Sequence, residues 1–224
     1  MATELADGVW WFELGSVNCY LADDDGTLTL VDAGTPFDRG TVAREVRDAG
    51  YDVADVDRVL VTHYDFDHVG ALARLPDLDA TVHVGEPDVA FLTGERPPDW
   101  HNHKGALQRA TGPLLSTPDL PVEVVADGDE VGNFTAYHAP GHTPGHVVYV
   151  SEALDVAFLG DLVRERDGEL AASPWVISYD TDAVTESVRS LAERLPAFSV
   201  AAMGHGVPFV RDGSERLADL AARL

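Results

Sequence analysis

Four side chains able to bind a metal ion fall within six residues, at His63-Tyr64-Asp65-Phe66-Asp67-His68. They follow the apolar run Val56–Thr62, which reads as a short strand, so they sit at the carboxyl end of that strand. Crowding two imidazoles and two carboxylates into one turn costs desolvation and repulsion. A bound cation removes that cost, and imidazole nitrogen with carboxylate oxygen suits zinc, iron or manganese.

Three further positions have the same character. In Ala139-Pro140-Gly141-His142-Thr143-Pro144-Gly145-His146, Gly and Pro build a fixed turn. His142 is the candidate ligand there, and His146 is expected to orient the turn by hydrogen bonding. Phe158-Leu159-Gly160-Asp161 ends an apolar strand on a carboxylate, and Ala202-Met203-Gly204-His205 ends another on an imidazole. Either one alone is an ordinary turn residue; four strand-end sites in one chain point to one metal centre.

Other residues carry weaker signals. His101 and His103 have the spacing of extra ligands but also of surface polarity. Lys104, the only lysine, could with Arg109 draw in a substrate carboxylate, or could be a solvated loop lysine. Cys19 reads as a small buried residue. Substrate selection is expected from the loops, with Trp10-Trp11-Phe12, 93–121 and Trp175–Tyr179 as candidates, although Trp10, Trp11 and Phe12 read first as core or rim packing.

The elements that must position these residues alternate along the chain. Strands are expected at Val9–Leu14, at Val17–Leu21 paired with Thr27–Val31, then at Val56–Thr62 and Thr81–Val84. Helices are expected at Asp38–Ala49, Ala71–Leu75 and Glu86–Leu92. Residues 93–121, rich in proline and glycine with little periodicity, read as a long loop or irregular insertion. Strands follow at Val122–Val125, Phe134–His138, His146–Val150, Asp155–Leu159 and Phe198–Met203. Thr181–Leu195 and Ser214–Leu224 read as helices, the first with Val184, Val188, Leu191 and Leu195 on one face. The two halves have similar outlines, which suggests two sheets face to face with helices outside, in a single domain over 1–224.

The bulk composition narrows the function. The net charge is −24, and the acidic residues are spread along the chain as a solvated surface. Such a surface repels nucleic acids and anionic membranes and resembles that of proteins working in concentrated salt. With one cysteine, no long apolar run and no export signal visible at the amino terminus, the expectation is a soluble cytoplasmic protein acting on a small molecule. A homodimer is a plausible assembly, with the insertion large enough to form an interface.

The motifs taken together resemble the metallo-β-lactamase superfamily over essentially the whole chain. Val31-Asp32-Ala33-Gly34 matches the early Asp motif, His63–His68 the main metal motif, and His142, Asp161 and His205 the later ones in order. The resemblance implies an α/β fold: a four-layer αββα sandwich of two mixed β-sheets with the metals at one edge. It implies His63, Asp65 and His142 on a first metal, Asp67, His68 and His205 on a second, and Asp161 bridging. It gives Asp32 the role of holding a ligand histidine in its tautomer.

One departure bears on the metal. The family pattern is His-x-His-x-Asp-His, and Asp65 stands here at the second histidine. The extra carboxylate lowers the charge of the centre and favours harder ions, iron or manganese, beside the expected zinc. The flavodiiron proteins of the same superfamily carry Glu at this place. The preferred expectation is a hydrolase of a small ester, thioester or lactone, using two divalent ions that activate a shared water, with Asp67 orienting that water or passing on a proton. The alternatives are a diiron-type oxidoreductase and a non-catalytic metal-binding protein.

Overall fold

The computed structural model describes residues 1–224. Seven strands form the first sheet in chain order: β1 (Thr3–Ala6), β2 (Val9–Glu13), β3 (Asn18–Asp24), β4 (Thr27–Val31), β5 (Val56–Leu60), β6 (Thr81–Gly85) and β7 (Val122–Val125). β1 to β4 are antiparallel, and β4 to β7 run parallel. The second sheet contains β8 (Glu130–Val131), β9 (Phe134–His138), β10 (Val147–Ser151), β11 (Val156–Gly160) and β14 (Val200–Met203), in the order β14-β11-β10-β9-β8. Its one parallel pair is β11 with β14.

Apolar residues of both sheets meet in a shared layer that includes Tyr20, Val31, Leu60, Tyr149, Phe158 and Ala202. On the outer face of the first sheet, helix α1 (Arg39–Asp48) buries Val42 and Val46. On the outer face of the second, α4 (Thr181–Arg194) and α5 (Gly213–Arg223) bury Val184, Val188, Leu191, Leu217 and Leu220. The layers therefore stack helix, sheet, sheet, helix, as expected. The carboxyl ends of β4, β5, β11 and β14 all lead into residues of one edge, the place where open α/β sheets present ligand sites.

The expected long loop at 93–121 is corrected by a nine-residue helix, α3 (His103–Thr111), which follows the short helix α2 (Asp88–Leu92). Pro97, Pro98 and Pro113 bracket α3, and the Asn102 side chain caps it by accepting from the Lys104 and Gly105 amides. It lacks an apolar stripe because its buried face is Lys104, Gly105 and Gln108. The Ala71–Leu75 helix shrinks to a single 3₁₀ turn at Leu72–Arg74. Four strands were not anticipated: β1, β8 and the two strands of a hairpin, β12 (Val163–Arg166) and β13 (Glu169–Ala172). Asp167-Gly168 turns that hairpin with φ of 56° and 82°, the Asp-Gly signal for such a turn.

Candidate metal centre

The seven candidate ligands converge on one edge. His63, Asp65, Asp67 and His68 follow β5; His142 lies between β9 and β10; Asp161 follows β11; His205 follows β14. Donor atoms of His63, His142 and Asp161 lie within 4.8 Å of one another, as do those of Asp67, His68 and His205. Asp161 stands between the two groups, 3.0 Å from His205 Nε2, 3.4 Å from His68 Nε2 and 3.6 Å from His142 Nε2.

Each of the four histidines meets an outer partner through Nδ1 and turns Nε2 inward. His68 Nδ1 donates to Asp32 at 2.8 Å, and His205 Nδ1 to the Ser16 carbonyl. His63 Nδ1 donates to Thr62 Oγ1 at 2.9 Å, because the Thr62 hydroxyl proton is spent on Asp32. His142 Nδ1 lies 2.9 Å from Ser173 Oγ. Groups that hold the outer nitrogen in this way fix ring orientation for metal binding.

His63 Nε2, His68 Nε2 and Asp161 Oδ1 are buried and have no hydrogen-bond partner in the protein. Each such atom costs about 1–3 kcal/mol when left unsatisfied. Three of them in one cluster of imidazole and carboxylate fit a bound divalent cation.

Charge is distributed unevenly across the centre. Burial alone would raise Asp65, but the Lys104 ammonium, His142 and His63 outweigh it and hold the carboxyl well below its usual range. Burial likewise opposes ionisation of Asp161, and His68 and His205 overcome it. The two carboxylates Asp161 and Asp32 raise His68 well above an ordinary imidazole despite burial. Burial and the Lys104 charge push His142 down to about 4.

His146 supports the centre from behind. Burial drives its imidazole well below the ordinary range, and its Nε2 accepts the Asp161 amide at 3.1 Å. It therefore positions the Asp161 backbone.

Of the weaker signals, the lysine and Arg109 readings change, and the others settle on their plainer alternatives. Lys104 is not a solvated loop lysine; it is 4% exposed and bonds to Asp65. Arg109 is exposed and does not line the cavity above the centre. His101 pairs with Asp99, and His103 stacks on Trp175 and meets its carbonyl at 2.7 Å, so neither joins the centre. Of the Trp10-Trp11-Phe12 group, Phe12 is core, Trp10 packs on Tyr51, and Trp11 bonds to Asn18. Cys19 is buried, as expected.

The cavity above the centre has a volume of about 400 Å³. Its walls come from Phe66, from Leu107 and Thr111 of α3, from Arg164 of β12 and from Ile177. A larger depression of about 830 Å³ lies at Glu4, Asp7 and Asp23, holds no histidine, and belongs to the acidic surface. Sequence reasoning missed Gln108, Ser173 and Arg164. Nothing in local spacing marks them, because their roles depend on where α3 and β12 dock.

Residues 13–205 match the family model described as the metallo-beta-lactamase superfamily. The probable metallo-hydrolase YflN of Bacillus subtilis is 26% identical, over 99% of this chain and 92% of its own length. The N-acyl homoserine lactonase AttM of Azorhizobium caulinodans is 30% identical, over 71% of this chain and 62% of its own length. Among solved structures, the metallo-beta-lactamase family protein TTHA1429 from Thermus thermophilus superposes with a TM-score of 0.74 at 24% identity, covering 98% of this chain and 80% of the other.

Proposed function

The chain belongs to the metallo-β-lactamase superfamily, and from that membership and the centre's geometry we propose that it is a metal-dependent hydrolase of a small ester, thioester or lactone. The observation that carries this reading is the pair of three-residue donor groups, with partnerless buried atoms, at the floor of a cavity of about 400 Å³. A cavity of that size suits a small molecule. The likeness to a lactonase and a probable metallo-hydrolase supports the reaction class.

His63, His142 and Asp161, with Asp65 beside the two histidines, make a first cation position, and Asp67, His68 and His205 a second. Zinc fits the imidazole-rich donors, with manganese or iron as the harder alternatives. A bound divalent ion would lower the pKa of a water and polarise the acyl oxygen under attack. The chain's own groups supply the rest. Asp67, half-buried at the cavity and 3.6 Å from His205, orients the attacking water and takes up its proton. Leu107, Phe66 and Ile177 cover the acyl group and keep out bulk water. The chain's net charge of −24 directs it away from nucleic acids and anionic membranes.

The test is metal analysis of protein purified in high salt, with a lactone, ester and thioester panel on the same sample. Bound zinc or manganese, turnover abolished by a chelator, and loss of turnover in His68→Ala support the reading. Two irons, no hydrolysis and oxygen uptake with a reductant would move the chain to oxidoreductase chemistry.

A further inference from the structure

The sequence contains a single lysine, and it is buried inside the metal centre. Burying an ammonium is costly unless it is fully paired. The first turn of a helix is also an unfavourable place for a cation, because the helix dipole is positive there. Lys104 occupies such a turn in α3. Neither packing nor helix stability accounts for it.

Its surroundings do. Lys104 Nζ donates to Asp65 Oδ2 and lies 3.4 Å from His142 Nε2. The same Asp65 oxygen is 3.0 Å from His142 Nε2 and 3.3 Å from His63 Nε2. The ammonium therefore reaches the place where Asp65, His63 and His142 converge, at the first cation position. One helical turn on, Gln108 donates to the other oxygen, Asp65 Oδ1, at 2.9 Å and to the Tyr64 carbonyl. Tyr179 fixes that amide by donating to Gln108 Oε1 at 2.6 Å. Both oxygens of Asp65 are thus satisfied by α3, whereas His63 Nε2, His68 Nε2 and Asp161 Oδ1 have no hydrogen-bond partner. Asp67, His68 and His205 have no ammonium among them.

We propose that Lys104 is an internal cation of the first position, competing with a metal ion for Asp65 and His142, so that the chain binds one ion tightly at Asp67, His68 and His205 and a second only weakly. The Asp at position 65 and the Lys at 104 form a matched pair: the ammonium cancels the charge that the extra carboxylate adds. An ammonium and a divalent ion a few ångströms apart in a buried site repel strongly. This inference rests on the metal-centre reading above and not on the identity of the substrate.

The experiment is equilibrium dialysis of chelator-stripped protein against zinc ions, read as bound zinc per chain with no activity assay. The wild type is expected to hold one ion tightly and a second about 10–100-fold more weakly, the range over which groups around ligands tune affinity. Lys104→Met should bring the second ion close to the first, while Lys104→Arg keeps the two unequal. Circular dichroism checks the fold, and Lys104→Gln replaces Lys104→Met if the latter fails to fold. Two ions of equal affinity in the wild type, unchanged in Lys104→Met, overturn the proposal and leave the metal centre standing. No zinc on any variant overturns the metal-centre reading together with it.

Discussion

Asp32 holds one histidine of each cation position. His68 Nδ1 donates to Asp32 Oδ2 at 2.8 Å, and Thr62 donates its hydroxyl to the same oxygen at 2.7 Å while accepting His63 Nδ1 at 2.9 Å. The Thr62 amide donates to Asp32 Oδ1 at 2.9 Å. One buried carboxylate therefore sets both imidazoles, His68 directly and His63 through Thr62. Asp32 does this from a left-handed backbone conformation, φ 58°, which Asn also tolerates. Asp32→Asn should keep the fold, because the backbone cost is small, but its amide nitrogen cannot accept. The expected loss is roughly 10–100-fold in metal affinity, measured by competition with a chromophoric chelator. Unchanged affinity would show that Asp32 does not govern either ring.

Gly204 allows β14 to approach the centre closely. A Cβ there would collide with Asp161 Oδ1 and His68 Cε1. Both collisions involve buried groups, and Asp161 is also held through its amide by His146. Gly204→Ala should therefore displace Asp161 from between the two positions and strip the metal from the purified protein. Metal content by mass spectrometry checks this; full loading in the variant would refute the close approach.

How much of this was legible in the sequence follows from how each residue is held. His63 to His68, His142, Asp161 and His205 each sit just past a strand or in a turn fixed by Gly and Pro, so local pattern gave their place. The αββα layers followed from runs such as Val56–Leu60 and Val156–Gly160, whose apolar residues are fully or largely buried. Helix α3 was hidden, because its inward face is polar: Lys104 and Gln108 are buried by pairing with Asp65, and no hydrophobic period records that. The same gap hid the role of Lys104, which depends on a contact across 39 residues. Asp167-Gly168 has the residue types of a hairpin turn, but Arg164, Glu165 and Arg166 beside it carry too little apolar signal to read as strand.

The metal-free protein should be most stable near pH 6.5. His142 has a folded value of about 4 against 6.5 for the free side chain, because burial and then Lys104 disfavour its charged form. The unfolded chain binds more protons between those values, so stability is lost as pH falls from 6.5 towards 4, by roughly 3 kcal/mol. His68 acts with the opposite sign. Its raised value, which Asp161 and Asp32 produce against burial, contributes stability below 6.5 that is lost as pH rises through that value. Urea unfolding in excess chelator at about pH 4.5, 6.5 and 8.5 reads both arms. A flat response between the two lower values would contradict the burial of a neutral His142.

Arg164 is the cation left free to meet a substrate. Lys104 is committed to Asp65, and Arg109 lies outside the cavity. Arg164 lines the cavity, has no acidic partner within ion-pair distance, and its Nε is buried without a hydrogen bond. In a chain of net charge −24, an unpaired guanidinium at the cavity wall is expected to favour a carboxylate or similar anion on the substrate. A hydrogen bond to a charged group contributes about 1.5–3 kcal/mol, so Arg164→Ala should raise KM about 10–100-fold for an ester bearing a carboxylate. Turnover at saturation should change far less, because Arg164 lies outside both cation positions, and a neutral ester of the same size should show no change in KM. Equal losses on the charged and the neutral ester would assign Arg164 to structure instead, and the anion preference would then have no residue to carry it.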